Sequence, residues 1–134
     1  MRVIVTGGCG YVGTELVKSL IRKKIFVKVV DLIWFDNTLK SFVGKYLSIV
    51  EKDFRKLNSK DLSKIDCIIH LANVANDPSV ELNPNLSWEI NTLGMQILCE
   101  KCVKYKIKKF IYASSGSVYG VKKEKNVIED LSLE

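Results

Sequence analysis

The feature that most narrows the fold is Thr6-Gly-Gly-Cys-Gly-Tyr-Val-Gly13, set between a short β-branched run and an amphipathic helical pattern. Arg2-Val-Ile-Val-Thr6 reads as a strand, and Val12 to Lys24 carries apolar residues at Val12, Leu16, Val17, Leu20 and Ile21, the spacing of one helix face. Gly8-x-Gly10-x-x-Gly13 is by itself a weak signal. In this position it supplies backbone conformations open to glycine, leaves no side chain where a pyrophosphate would approach, and turns helix amides toward negative charge. Gly13 is expected to let the helix pack closely on the sheet. Asp31 ends the next strand, 18 residues beyond Gly13, where a carboxylate can accept hydrogen bonds from the adenosine ribose and repel a 2′-phosphate. Turn, helix and acid agree in register, so a dinucleotide site favouring NAD over NADP is expected. A tight turn and a strand-terminal aspartate without a ligand are the alternative.

Phe26-Val-Lys-Val-Val-Asp31, Leu47-Ser-Ile-Val-Glu-Lys-Asp53, Asp66-Cys-Ile-Ile-His-Leu71 and Lys108-Lys-Phe-Ile-Tyr-Ala-Ser114 read as four further strands. A long helical pattern from about Pro84 to Lys104 separates the last two, with Leu86, Ile90, Leu93, Ile97, Leu98 and Val103 on its apolar side. Shorter helical or irregular pieces are expected at residues 38 to 46 and 54 to 64. Strands alternating with helical connections imply right-handed crossovers and helices on both faces of a parallel sheet. The predicted fold is α/β, a Rossmann-type doubly wound parallel sheet of order 3-2-1-4-5 in three αβα layers. Residues 1–134 read as one domain, without repeats, low-complexity tracts or linkers.

Composition narrows the function classes. No apolar run approaches the ~20 residues of a membrane span, and the N-terminus lacks a signal-peptide core, so a cytoplasmic protein that engages no membrane is expected. The formal net charge of +6 gathers partly at Lys101, Lys104, Lys106, Lys108 and Lys109. No arginine or aromatic pattern accompanies these lysines, which reads as a solvated helix end rather than a nucleic-acid surface. Cys9, Cys67, Cys99 and Cys102 read as reduced core or surface thiols; Cys99-Glu-Lys-Cys102 falls late in a helical pattern without a second ligand pair, so no metal is expected.

The glycine turn, His70-Leu-Ala72, Asn91-Thr-Leu-Gly94 and Tyr112-Ala-Ser-Ser-Gly-Ser-Val-Tyr-Gly120 occur in this order. Together they resemble the extended short-chain dehydrogenase/reductase family, and within it the NAD-dependent nucleotide-sugar epimerases and dehydratases of the UDP-glucose 4-epimerase type. The resemblance covers essentially the whole chain. It implies that Gly7, Gly10, Tyr11, Val12 and Gly13 surround the pyrophosphate and that Asp31 meets the adenosine ribose. Asp53 and Phe54 match the family's adenine-contacting acid and its apolar neighbour. Leu71, Ala72 and Asn73 would line the cofactor, with Asn73 where the family more often has alanine. Asn91 matches an asparagine that steadies the sheet, as a structural hydrogen-bonder or a direct cofactor contact. Ser115 aligns with the catalytic serine or threonine, whose hydroxyl holds the reacting oxygen while a tyrosinate removes a sugar hydroxyl proton and NAD takes hydride from the same carbon.

In that family the catalytic Tyr-x-x-x-Lys sits on a helix well downstream of the serine motif. Two such spacings occur here. Tyr105 with Lys109 straddles the entry to the fifth strand, at the wrong sheet edge, because ligands of open parallel sheets bind beyond the C-terminal edge. Tyr119 with Lys123 is at the right edge, but Tyr119 belongs to Val-Tyr-Gly and Gly120 is a poor start for a helix carrying both side chains. The sequence therefore reads as the NAD-binding portion of such an enzyme, truncated before the later strands, the catalytic helix and the substrate-binding part, and not catalytic alone. NAD, a nucleotide-sugar substrate for the complete enzyme and self-association, such as a homodimer covering an uncovered sheet edge, are the expected partners. A non-catalytic dinucleotide-sensing or interaction module is the alternative. Asn76-Asp-Pro78 is either a substrate-touching loop or simply a turn.

Overall fold

Uninterrupted β-branched runs suit strands covered on both faces, and the sheet uses them so. The structure, a computed structural model, describes residues 1–75, 77–123 and 126–133. Five strands, β1 (Arg2–Thr6), β2 (Phe26–Asp31), β3 (Leu47–Glu51), β4 (Cys67–His70) and β5 (Lys109–Tyr112), pair in parallel in the order β3-β2-β1-β4-β5. The helices are α1 (Tyr11–Arg22), α2 (Ser59–Leu62), α3 (Asp77–Leu82), α4 (Pro84–Trp88) and α5 (Met95–Lys104). The predicted strand order holds, with β3, β4 and β5 each shorter than their sequence patterns. α3 was not foreseen, and Asn76 of the Asn-Asp-Pro turn lies outside the described residues.

Alternation along β1 divides the core in two. Val3 and Val5 join Val17 of α1 with Val27, Val29 and Leu47 on one face. Ile4 points the other way, into a cluster with Val30, Phe54, Ile68, Ile90 and Leu98. β5 is an edge strand, and its Ile111 and Tyr112 are exposed.

The pattern from Pro84 to Lys104 forms one helical run with a change of pitch: α4 passes into a π-helical stretch, Glu89–Gly94, which passes into α5. Ile90, Gly94, Leu98 and Cys102 are its buried stripe after Ser87. Leu93, Ile97 and Val103, expected on the apolar side, are 42%, 38% and 81% exposed. The stripe runs through a glycine because the Phe54 ring fills that place: a Cβ on Gly94 would lie 2.8 Å from Phe54 Cζ.

One polar pair is buried between the central strands. Thr6 Oγ1 and His70 Nδ1 share a hydrogen bond of 2.6 Å across β1 and β4, and both side chains are fully buried. The imidazole sits among aromatic rings, edge-on to Phe54 at 4.7 Å between centroids and stacked with Tyr112 at 5.9 Å. Burial pushes the His70 pKa down to about 4, so the ring is neutral at physiological pH.

Two outcomes follow from this packing. Glycine to alanine inside a helix ordinarily stabilises by about 1 kcal/mol. Gly94→Ala is expected instead to destabilise by about 1–2 kcal/mol in urea unfolding, because overpacking against Phe54 outweighs propensity. His70 binds its proton less readily folded than unfolded, so its contribution is intact above about pH 6.5 and declines as pH falls toward about 4, by up to about 3 kcal/mol. Urea titrations across that window should show this slope, and His70→Gln should flatten it.

Candidate functional site

The turn between β1 and α1 is closed by its own backbone. Gly7 donates its amide to Val30 O at 2.9 Å, and Gly10 donates to Gly7 O at 3.2 Å. Gly7 takes φ of 71°, and a Cβ there would lie 2.6 Å from the amide nitrogen of Ala72, so the turn rests directly on the chain leaving β4. A Cβ on Gly13 would lie 2.4 Å from Gly7 O; this glycine lets α1 pack on the turn itself rather than on the sheet. Gly10 differs. It has ordinary extended dihedrals, and a Cβ there would meet only Gly7 O, at 3.3 Å. No side chain caps α1 at Gly10, so no capping group competes for its first amides.

Asp31 stands at the end of β2, beside this turn. Its Oδ2 accepts from the amide of Cys9 at 2.9 Å, and its Oδ1 accepts from the amide of Ile33 at 2.8 Å. A carboxylate has about four acceptor positions, which leaves capacity for hydroxyl donors. Burial and the adjacent Asp31 charge push the Cys9 thiol up to about 11, which favours its protonated form at neutral pH.

The opposite wall follows β3. Asp53 caps a 3-10 turn, Phe54–Lys56, by accepting from the Arg55 amide, and it grips the Arg55 guanidinium with Nη2–Oδ2 of 2.7 Å. Burial works against the Asp53 charge, but the hydrogen bonds and charge of Arg55 hold its carboxyl below the usual value. From α5, Lys101 donates to the carbonyls of Arg55 and, at 2.7 Å, Leu57, fixing the turn to the helix layer. The third wall is the chain after β4. Asn91 accepts from the Val74 amide at 2.9 Å and donates to the Val74 carbonyl at 3.0 Å, a two-point clamp on that loop.

These walls enclose a cavity of about 180 Å³ at the C-terminal edge of the sheet. Gly7, Gly10, Asp31, Asp53, Phe54, Leu71, Ala72 and Asn73 all line it, so most residues singled out from the sequence converge there. Tyr11, Val12, Gly13 and Asn91 do not line it; Tyr11 and Val12 lie exposed at the helix start, and Asn91 acts through Val74. Trp34, Phe35, Lys52, Arg55 and Ile90 line the cavity without having been singled out. An aromatic pair three residues past a strand-terminal aspartate was the available signal for the first two.

Ser115 follows β5 at the same sheet edge, exposed, and accepts from the Ser117 amide at 3.2 Å to cap a 3-10 turn, Gly116–Tyr119. Gly120, with φ of 62°, ends that turn, so Tyr119 and Lys123 are not carried on one helix face. Among the described residues no group of His, Cys, Asp and Glu side chains could hold a metal ion, and no helix is long and apolar enough to cross a membrane.

Known proteins repeat both the pattern and the shape. The family model for the NAD dependent epimerase/dehydratase family matches residues 3–133. A UDP-glucose 4-epimerase of Bacillus subtilis is 32% identical over 143 residues, and a bifunctional UDP-glucose and UDP-xylose 4-epimerase of Pisum sativum is 32% identical over 151 residues; each match covers 99% of this chain. The chain spans 42% of the length of both relatives. Among solved structures, Thermus thermophilus UDP-glucose 4-epimerase in complex with NAD superposes with a TM-score of 0.82 at 27% identity, covering all of this chain and 44% of that one. With strand order, glycine turn and family match in agreement, this chain belongs to the NAD dependent epimerase/dehydratase family.

Proposed function

We propose that the chain is the NAD-binding portion of a nucleotide-sugar epimerase or dehydratase. The observation that carries this reading is the contrast among the turn glycines. Side chains at Gly7 and Gly13 would strike the protein's own backbone at under 3 Å, whereas a Cβ at Gly10, at the uncapped start of α1, would meet only the Gly7 carbonyl, at 3.3 Å. A bare position with so light a packing demand, at a helix start, is suited to close approach of a pyrophosphate. The solved NAD complex of a relative supports the same cofactor.

When bound, NAD supplies a reversible hydride acceptor for a sugar carbon that bears a hydroxyl. The residues here act as its holder. The amides opening α1 receive the pyrophosphate, and Asp31 accepts from the adenosine ribose hydroxyls while repelling a 2′-phosphate. Asp53 and Phe54 form the adenine wall, with Leu71, Ala72 and Asn73 along the cofactor's other side, steadied by the Asn91 clamp on Val74. Ser115, at the same edge, would hold the reacting sugar oxygen. Tyr119 and Lys123 do not provide the proton-abstracting pair, because the backbone turns away at Gly120. Cofactor binding without turnover is therefore the activity assigned to the chain alone.

Calorimetry is expected to show NAD binding with clear preference over NADP, weakened about tenfold or more in Asp31→Ala through loss of charge-assisted hydrogen bonds. Absent NAD binding, or preference for NADP, would overturn the cofactor assignment. Gly10→Ala should unfold within about 1 kcal/mol of the parent in urea yet bind NAD at least about tenfold more weakly. Gly13→Ala should lose stability outright, and equal stability losses at both positions would count against a ligand role for Gly10.

A further inference from the structure

The strands all run the same way, so the chain enters every one of them at a single edge, opposite the cavity. Lysine collects there. Lys45 precedes β3, Lys23 and Lys24 precede β2, and Arg2 opens β1. Lys64 precedes β4, and Lys106, Lys108 and Lys109 lead into β5. All of these side chains are exposed, and with the other described residues none of them forms an ion pair. The entering segments carry one acid, Asp66, whose carboxylate already accepts from the Arg2 amide at 2.8 Å. Taken alone, the lysines after α5 read as a solvated helix end. The fold sets them beside those of the other strand entries, along an edge that four interstrand spacings of about 4.8 Å make roughly 19 Å wide.

Three of these lysines are kept against conformational preference. Lys24, Lys64 and Lys106 each stand two residues beyond a helix, α1, α2 and α5, with φ of 58°, 60° and 54°. Glycine takes that left-handed conformation freely and lysine does not. Complementing a helix dipole accounts for a cation near a helix end, but not for Arg2 and Lys109, which belong to strands. Positive charge is what the whole edge has in common. We propose that this edge is an electrostatic docking surface for an anionic lipid bilayer, which leaves the cavity facing solvent. Lysine is a hydrated point charge suited to a fluid array of charged headgroups, whereas bidentate recognition of nucleic-acid phosphates favours arginine, which the strand entries offer only at Arg2. Base stacking also needs bare rings. The rings near this edge carry their own cations: Arg2 lies 4.1 Å from the Phe26 centroid, Lys45 5.4 Å from that of Tyr46 and Lys104 5.7 Å from that of Tyr105. Met1 and Val103, 69% and 81% exposed, add apolar side chains for shallow insertion at the same end. The lack of a membrane-spanning helix among the described residues bears on crossing a bilayer, not on attachment to its surface.

Co-sedimentation with vesicles tests this. The chain should bind vesicles of one part phosphatidylserine to two parts phosphatidylcholine at low salt, leave them at about 0.5 M salt, and ignore pure phosphatidylcholine. Lys24→Gly, Lys64→Gly and Lys106→Gly together remove charge where glycine is at ease, so urea unfolding should be no weaker than the parent's while vesicle affinity falls at least about tenfold. Lys45→Gln with Lys109→Gln should lose about fivefold or more without touching a left-handed position. A control, Lys40→Gln with Lys56→Gln, lowers the net charge equally away from this edge and should bind within about twofold of the parent. Equal losses in the control and in the Lys45 and Lys109 variant, no binding to the anionic vesicles, or equal binding to neutral ones would overturn the proposal. So would binding of a single-stranded oligonucleotide at salt that releases the vesicles, an outcome that assigns the edge to nucleic acid instead.

Discussion

The site depends on one carboxylate. Asp31 ties three pieces of chain together: the end of β2, the glycine turn through the Cys9 amide, and the loop beyond through the Ile33 amide. Each of those amides would otherwise need another partner, so the acid organises the pocket before any ligand arrives. The same charge that orders the protein is also presented to the cavity. A change at this position would therefore disturb the order of the pocket as well as the charge it presents.

A second layer supports the first from below. Phe54 lines the cavity above and packs edge-on to His70 beneath, while Gly94 gives way to its ring from the helix side. His70 in turn ties β4 to β1 through Thr6. The cavity floor is thus continuous with the sheet's central polar pair, and the π-helical pitch at Glu89–Gly94 brings both Gly94 and the Asn91 clamp to it. Rigid support of this kind keeps the walls in place.

Much of this was legible in the residues because it depends on local rules. β1 and β2 fall where β-branched runs place them, and the parallel order follows from alternation with helices. The acids Asp31 and Asp53 could be read because strand ends of such sheets face ligands. The illegible parts depend on tertiary fit. Gly94 in the buried stripe, with Leu93 and Val103 outside it, is decided by an aromatic ring forty residues away in sequence, which helical periodicity does not register. Gly7 carries the left-handed turn although Gly8-x-Gly10-x-x-Gly13 was the spacing that drew attention. Trp34 and Phe35 sit at the cavity because a carboxylate holds Ile33 in a conformation no propensity would assign.

The unequal roles of the three glycines bear on how descent with loss of function would look. A lineage under no pressure to bind a ligand could accept a small side chain at position 10 for a slight shift of the Gly7 carbonyl, but not at positions 7 or 13, where the clash with backbone falls below 3 Å. Packing alone would therefore let residue 10 drift before the other two, which would persist in any copy that still folds.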